Sequence, residues 1–146
     1  MSNLVIIPTF KEKENIESLI RTVFSLSVPF DILIIDDNSP DGTASIVKSL
    51  QSEFRDLHII ERPGKLGLGT AYITGFNWAL DNNYDYIFEM DADFSHDPND
   101  LVRLFKACDE GKADVSIGSR YVSGVNVINW PLSRVLCHTS HLFMYV

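Results

Sequence analysis

At 146 residues the chain is long enough for one domain with a sizeable core. Its 45% hydrophobic and 22% charged residues are those of an ordinary globular protein, and a net charge of −8 excludes a nucleic-acid polymer as partner, because a polyphosphate backbone demands clustered Lys and Arg. The opening residues lack the basic segment of a signal peptide, no apolar run is long enough to span a bilayer, and Cys108 and Cys137 make neither a disulfide framework nor a zinc site, so a cytoplasmic location is expected.

Leu4 to Ile7 reads as a short buried strand ended by Pro8, and after Glu14 the residues Ile16, Leu19, Ile20 and Val23 recur at helical spacing. Phe30 to Ile35 is a second strand closed by Asp36-Asp37; past the turn Asn38-Ser39-Pro40-Asp41-Gly42, a helix carries Ile46, Val47, Leu50 and Phe54 on one face. Ser39, Asp41 and Thr43 are read as turn and helix-start residues, and Asp36 either as a turn residue or as a site residue. Leu57 to Ile60 is a third strand, turned by Arg62-Pro63-Gly64, and Gly67-Leu68-Gly69 opens a helix running to about Asp81. Those glycines imitate a dinucleotide loop but follow the third strand, so close helix–sheet packing is their expected role; Lys65 is read as a loop lysine within reach of a phosphate.

The fourth apolar run, Tyr86 to Met90, ends in Asp91-Ala92-Asp93. In an extended chain residues i and i+2 point the same way, so both carboxylates can converge on one ligand while Ala92 leaves room. Paired carboxylates repel unless a cation lies between them, and hard oxygen ligands suit Mg²⁺ or Mn²⁺ shared with a diphosphate. The plainer alternative is that Asp91 and Asp93 only close a strand and begin a turn. Asp97 as N-cap and Pro98 at the first helical position introduce a helix with Leu101, Leu104, Phe105 and Cys108, and Asp114 to Gly118 is expected as a fifth strand ending at Ser119-Arg120. This alternation predicts an α/β fold with a mainly parallel sheet and helices on both faces, and a ligand at the carboxyl ends of the strands.

Five blocks in one order carry a resemblance: Pro8 to Ile16, Ile35 to Thr43, Gly64 to Tyr72, Met90 to His96 and Gly118 to Gly124, with Trp130 to Arg134 after them. Together they resemble the family 2 glycosyltransferases of the GT-A fold, a Rossmann-like nucleotide-diphospho-sugar transferase fold, and within them the dolichyl- or polyprenyl-phosphate mannosyltransferases. The resemblance implies that Pro8, Phe10, Glu12, Ile35 and Asp37 line the nucleotide pocket, and that Asp91, Ala92 and Asp93 hold the nucleotide sugar. It also implies a metal at Asp91 and Asp93 with Ser95 as a further ligand, Arg120 on phosphate, and His96 either assisting or serving as a polar loop residue. The family more often has Tyr-Asn where this chain has Phe10-Lys11, so a phenol contact is replaced by a bare ring.

The implied reaction moves a hexose, mannose from GDP-mannose above others, to a polyprenyl or dolichyl phosphate, with a divalent metal on the leaving diphosphate and inversion at the anomeric carbon. No catalytic base is evident after the acidic strand, which an already anionic phosphate acceptor explains; Asp91, Asp93 and Arg120 are the candidate catalytic groups, and Arg120 and Arg134 the candidates for holding the acceptor phosphate. Residues 1–124 are assigned to the nucleotide-sugar core and 125–146 to the start of an acceptor-side region. The family pattern continues beyond Arg134, so the chain reads as truncated or diverged there. A face of Leu132, Val135, Leu136 and Phe143 is expected to pack on the sheet, on a second copy or on the cytoplasmic membrane surface. The rival readings are a nucleotide-binding or assembly fragment without turnover, a Mg²⁺-dependent phosphatase of the Asp-x-Asp type, and a phospho-signalling receiver; the phosphatase wants its motif on the first strand and not the fourth, and the receiver wants its acidic pair after the first strand and a Lys at the end of the fifth, where this chain offers Asp36-Asp37 after the second and Arg120.

Overall fold

The computed structural model describes residues 2–111 and 113–118, and two compact units divide the chain at Ser116 and Ile117. In the first unit the elements are β1 (Asn3–Thr9), α1 (Ile16–Phe24), β2 (Asp31–Asp36), α2 (Thr43–Leu50), β3 (Leu57–Glu61), α3 (Leu68–Asp81), β4 (Tyr86–Glu89) and α4 (Asp100–Asp109). The strands form one sheet in the order β3-β2-β1-β4, and every pairing is parallel.

Both faces of the sheet are covered because both faces of the strands are apolar. Val5, Ile7, Ile32, Ile34, Phe88 and Met90 point into a core closed by Ile16, Leu19, Ile20 and Val23 of α1, Val47 and Leu50 of α2 and Leu101 of α4. Their neighbours one residue along, Leu4, Ile6, Leu33 and Ile35, point the other way, against Ala71 and Ala79 of α3. Leu4 through Ile7 and Ile32 through Ile35 are all fully buried, and each such side chain stabilises the fold by roughly 1.5–3 kcal/mol.

Two expectations about glycine and one about strands are corrected. A Cβ at Gly67 or Gly69 would meet nothing within 4 Å, so close packing does not explain either; Gly67 is instead needed for its φ of 99° at the entry to α3. The glycine that does permit close helix–sheet approach is Gly75, where a Cβ would lie 2.6 Å from Cγ2 of Ile6. Residues 114–118 are not a strand: Val115 and Ile117 are 73% and 85% exposed, and among the described residues no neighbouring strand takes up their backbone groups. Nor is Asp97 the N-cap or Pro98 the first helical residue: the Asp97 carboxylate accepts the Asn99 backbone N–H at 2.9 Å in a turn ahead of the helix, whose N-cap is Asn99 and whose first residue is Asp100.

Candidate functional site

Pro8 shapes the site by what it cannot do. Ile6 accepts a hydrogen bond from Met90 on the β4 side and Thr9 accepts one from Asp37 on the β2 side, so by alternation Pro8 faces β4. A proline has no N–H to continue that ladder, and it is tolerated only where the ladder ends. β4 stops opposite Ile6, and Asp91 leaves the sheet beside the place where Pro8 interrupts the pairing.

The loops after β1 and β2 are knitted together by side chains of the β2–α2 turn. The backbone N–H groups of Lys11, Glu12 and Lys13 donate in succession to Ser39 Oγ (3.0 Å), Thr43 Oγ1 (3.1 Å) and Asp41 Oδ2 (3.2 Å). Asp41 is held below the ordinary carboxylate range, chiefly by the Thr43 hydroxyl, which donates to it at 2.7 Å. Asp36 takes the turn role: it is 1% exposed and accepts hydrogen bonds from the Thr9 hydroxyl (2.9 Å), the Ser39 hydroxyl (2.6 Å) and the Ser39 N–H (2.8 Å). Ser39, Asp41 and Thr43 are thus turn residues as expected, and they fix Phe10 and Glu12 at the strand end. Ile35 is fully buried on the α3 side, so its side chain supports the site from within the core.

Asp37 has a partner that the sequence reading overlooked. Arg62, the residue after β3, donates from Nε to Asp37 Oδ1 at 2.6 Å and from Nη2 to Oδ2 at 2.8 Å, with the two side chains 6% and 8% exposed. Its remaining donors reach Thr70 Oγ1 (2.8 Å) and the Gly67 carbonyl (3.3 Å), which ties the ends of β2 and β3 to the start of α3. The guanidinium fork suits a two-pronged pair with a carboxylate, but only the pairing of β2 with β3 brings these two residues together. Lys65 lies with Nζ 4.7 Å from the Phe10 ring centroid and Lys11 with Nζ at 5.5 Å, so this ring already attracts cations.

The acidic end of β4 is arranged differently from the extended convergence expected. The chain turns at Ala92–Asp93, with Ala92 buried in the core beside Met90, and Phe94 takes a φ of 55°. Ala92 therefore anchors the turn and opens no space for a ligand. Asp91 lies on the α3 side, where its Oδ1 accepts a long hydrogen bond of 3.4 Å from the Tyr72 hydroxyl; burial, then the charges of Asp91 and Glu89, push the Tyr72 phenol well above its usual range. Asp93 is exposed and closes its own turn, accepting the Ser95 N–H at 2.9 Å. Burial tends to raise the Asp93 carboxyl, but hydrogen bonds from the Ser95 hydroxyl and N–H and the nearby His96 outweigh it, so Asp93 is held below the ordinary value.

Among the described residues, three of the four non-glycine positions with left-handed backbone, Lys11 (φ 63°), Asn38 (56°) and Phe94 (55°), follow the ends of β1, β2 and β4. Asn adopts this conformation readily, whereas for Lys and Phe it costs about 1–2 kcal/mol each. Backbone strain gathered at one edge of a sheet is what a functional edge shows. The donor set at β4, the carboxylate oxygens of the half-buried Asp91 and the exposed Asp93, fits a hard divalent cation; among the described residues no group of three or more His, Cys, Asp or Glu is gathered to enclose one. Arg120 and Arg134, like Leu132, Val135, Leu136 and Phe143, lie outside the described residues.

The sequence pattern of glycosyl transferase family 2 matches residues 4–145. The chain belongs to that family. Among its curated relatives, a polyprenol monophosphomannose synthase of Mycolicibacterium smegmatis is 46% identical over 142 residues, covering 96% of this chain and 53% of the relative. An undecaprenyl-phosphate mannosyltransferase of Micrococcus luteus is 43% identical over 134 residues, covering 92% and 54%. The chain thus spans about half the length of these family members. Of solved structures, S. aureus TarS 1–349 aligns over 91% of this chain and 39% of its own with a TM-score of 0.70 and 23% identity, which bears on the fold alone. The mannosyltransferase PcManGT of Pyrobaculum calidifontis, solved with GDP-Man and Mn²⁺, aligns over 52% of this chain and 24% of its own, with a TM-score of 0.50 and 27% identity. The α/β sheet of the family, with its helices on both faces, is the one described above.

Proposed function

We propose that this chain is the nucleotide-sugar-binding part of an inverting mannosyltransferase that moves mannose from GDP-mannose to a polyprenyl or dolichyl phosphate. The observation that carries the reading is the placement of Asp91 and Asp93 where Pro8 stops the β1–β4 ladder, next to a strand end braced to present Phe10 and Glu12. The similarity to two relatives named for polyprenyl-phosphate mannosyl transfer supports the acceptor class, and the GDP-Man and Mn²⁺ held by PcManGT support the donor and a divalent metal.

In this reading Pro8, Phe10 and Glu12 wall the nucleotide pocket, and Asp37, with both oxygens held by Arg62, braces the strand end behind them. Asp91 and Asp93, with Ser95 close to Asp93, hold the metal, and phosphate and water oxygens complete its shell. A bound Mg²⁺ or Mn²⁺ would act as a Lewis acid on the departing diphosphate. Arg120 and Arg134 are assigned to the acceptor phosphate, which needs positioning and not deprotonation. The protein would meet its lipid acceptor at the cytoplasmic membrane face; among the described residues no helix is long and apolar enough to cross a membrane.

The test is transfer from labelled GDP-mannose to polyprenyl phosphate in the presence of Mn²⁺, with the anomeric configuration of the product read by NMR. Inversion is expected. Retention would contradict the single displacement. The length relation to the relatives favours one second reading, a nucleotide-binding fragment without turnover, and donor binding with no product would select it.

A further inference from the structure

The faces of β4 separate its carboxylates in a way the Asp-x-Asp pattern does not suggest. Phe88, Met90 and Ala92 point into the core against α1 and α4, while Ile87 packs on the opposite side with α3. Glu89 and Asp91 share the side of Ile87 by alternation, and α3 supplies Tyr72 to that side. The Tyr72 ring is half-buried, packed on the α3-side core and stacked on Phe76 with centroids 6.4 Å apart, so the hydroxyl is delivered to Asp91 from a rigid helix. Its contact is to Oδ1 at 3.4 Å, and the described hydrogen bonds include no second donor to Asp91. Asp93 by contrast is oriented by its own turn, through Ser95.

We propose that Tyr72 is the positioning residue for Asp91: it occupies one carboxylate oxygen from the α3 side and leaves the other turned toward the open strand end, where the divalent cation of the proposed reaction would sit. This rests on the metal reading given above. A carboxylate free to rotate presents a ligand oxygen only part of the time, and one hydrogen bond from a fixed phenol is the size of restraint needed to correct that. The length of the bond is consistent with a contact that tightens when a cation draws Asp91 into register.

The variant Tyr72→Phe keeps the ring against Phe76 and removes only the hydroxyl. Calorimetric titration with GDP-mannose in Mn²⁺ is expected to show affinity weakened about three- to tenfold, the range of a single hydrogen bond, while binding in EDTA is unchanged. Tyr72→Phe added to Asp91→Asn should bring no further loss, since the group it positions is already disabled. Titration of Mn²⁺ by electron paramagnetic resonance should show the same weakening without any nucleotide. Equal loss with and without Mn²⁺ would show a merely structural tyrosine, and full additivity with Asp91→Asn, or no change at all, would equally overturn the proposal. The wild-type arm separates the two ideas: Mn²⁺-dependent binding in the wild type with an unaffected Tyr72→Phe variant removes only the role of Tyr72, whereas a wild type that ignores Mn²⁺ removes the metal site and this role with it.

Discussion

The two halves of the carboxyl edge of the sheet handle acidic side chains in opposite ways. At the ends of β1, β2 and β3, Asp36, Asp37 and Asp41 are saturated by hydroxyls, backbone N–H groups and one guanidinium, and the first two of them are almost fully buried. At the end of β4, Asp91 has one long contact from Tyr72 and Asp93 is exposed on its own turn. Asp36, Asp37 and Asp41 are buried or braced because donors within the protein satisfy them, whereas among the described residues Asp91 and Asp93 meet fewer such donors. In the proposed reading the same residue type is scaffold on one half of the edge and ligand on the other, and partners, not sequence spacing, decide which.

Breaking the closed half should cost folding stability. Arg62→Ala leaves Asp37 buried without its partner, and a loss of about 3–5 kcal/mol is expected in urea denaturation. The double replacement Asp37→Leu with Arg62→Met should recover most of that loss, because the pair itself adds little beyond well-packed apolar groups. A full-sized loss in the double variant would mean that the network to Thr70 and Gly67 carries the stability instead.

Breaking the open half should not. Asp91→Asn removes only charge from a group with one weak contact, and its stability is expected to stay within about 1 kcal/mol of the wild type. A loss as large as that of Arg62→Ala would erase the distinction between the two halves.

The smallest effect sharpens the comparison by pH. Because the Ser95 hydrogen bonds hold Asp93 below its unfolded value, their stabilising contribution is complete above that value, near pH 4, and fades as pH falls through the lower folded value. NMR titration should place the Asp93 midpoint below about 3.9, and Ser95→Ala should raise it. A midpoint at or above the unfolded value would show that the turn does not hold the carboxylate.

Most of the fold was legible in the chain. Continuous apolar runs at Leu4–Ile7 and Ile32–Ile35 and helical spacing at Ile16–Val23 identify strands and helices because both faces of this sheet are buried, and the four strands, the parallel pairing and α3 appear where expected. The fifth strand was read from five residues whose pattern resembles a strand, but strand formation needs a partner that local sequence does not contain. Gly67 and Gly69 advertise themselves by their spacing, whereas Gly75, which lets α3 approach Ile6, has no local signature, since close approach is visible only once the helix is docked.

The chain names candidate site residues but not the contacts between them. Spacing located Asp91 and Asp93 at a strand end, but the turn at Ala92–Asp93 follows from burying Ala92, a tertiary fact. Arg62 escaped notice because its meaning depends on Asp37, 25 residues away. The contact of the Tyr72 hydroxyl with Asp91, 19 residues further along the chain, likewise has no local signature.

The central claim, that the β4 end is an open acidic site for a metal diphosphate, is tested most directly by calorimetric titration of GDP-mannose into the wild type and Asp91→Asn, each with Mn²⁺ and with EDTA. Mn²⁺ is expected to strengthen binding to the wild type, and Asp91→Asn to abolish this gain while leaving the EDTA affinity and the fold intact. Binding of the same strength with and without Mn²⁺, or a Mn²⁺ gain that survives Asp91→Asn, would contradict it.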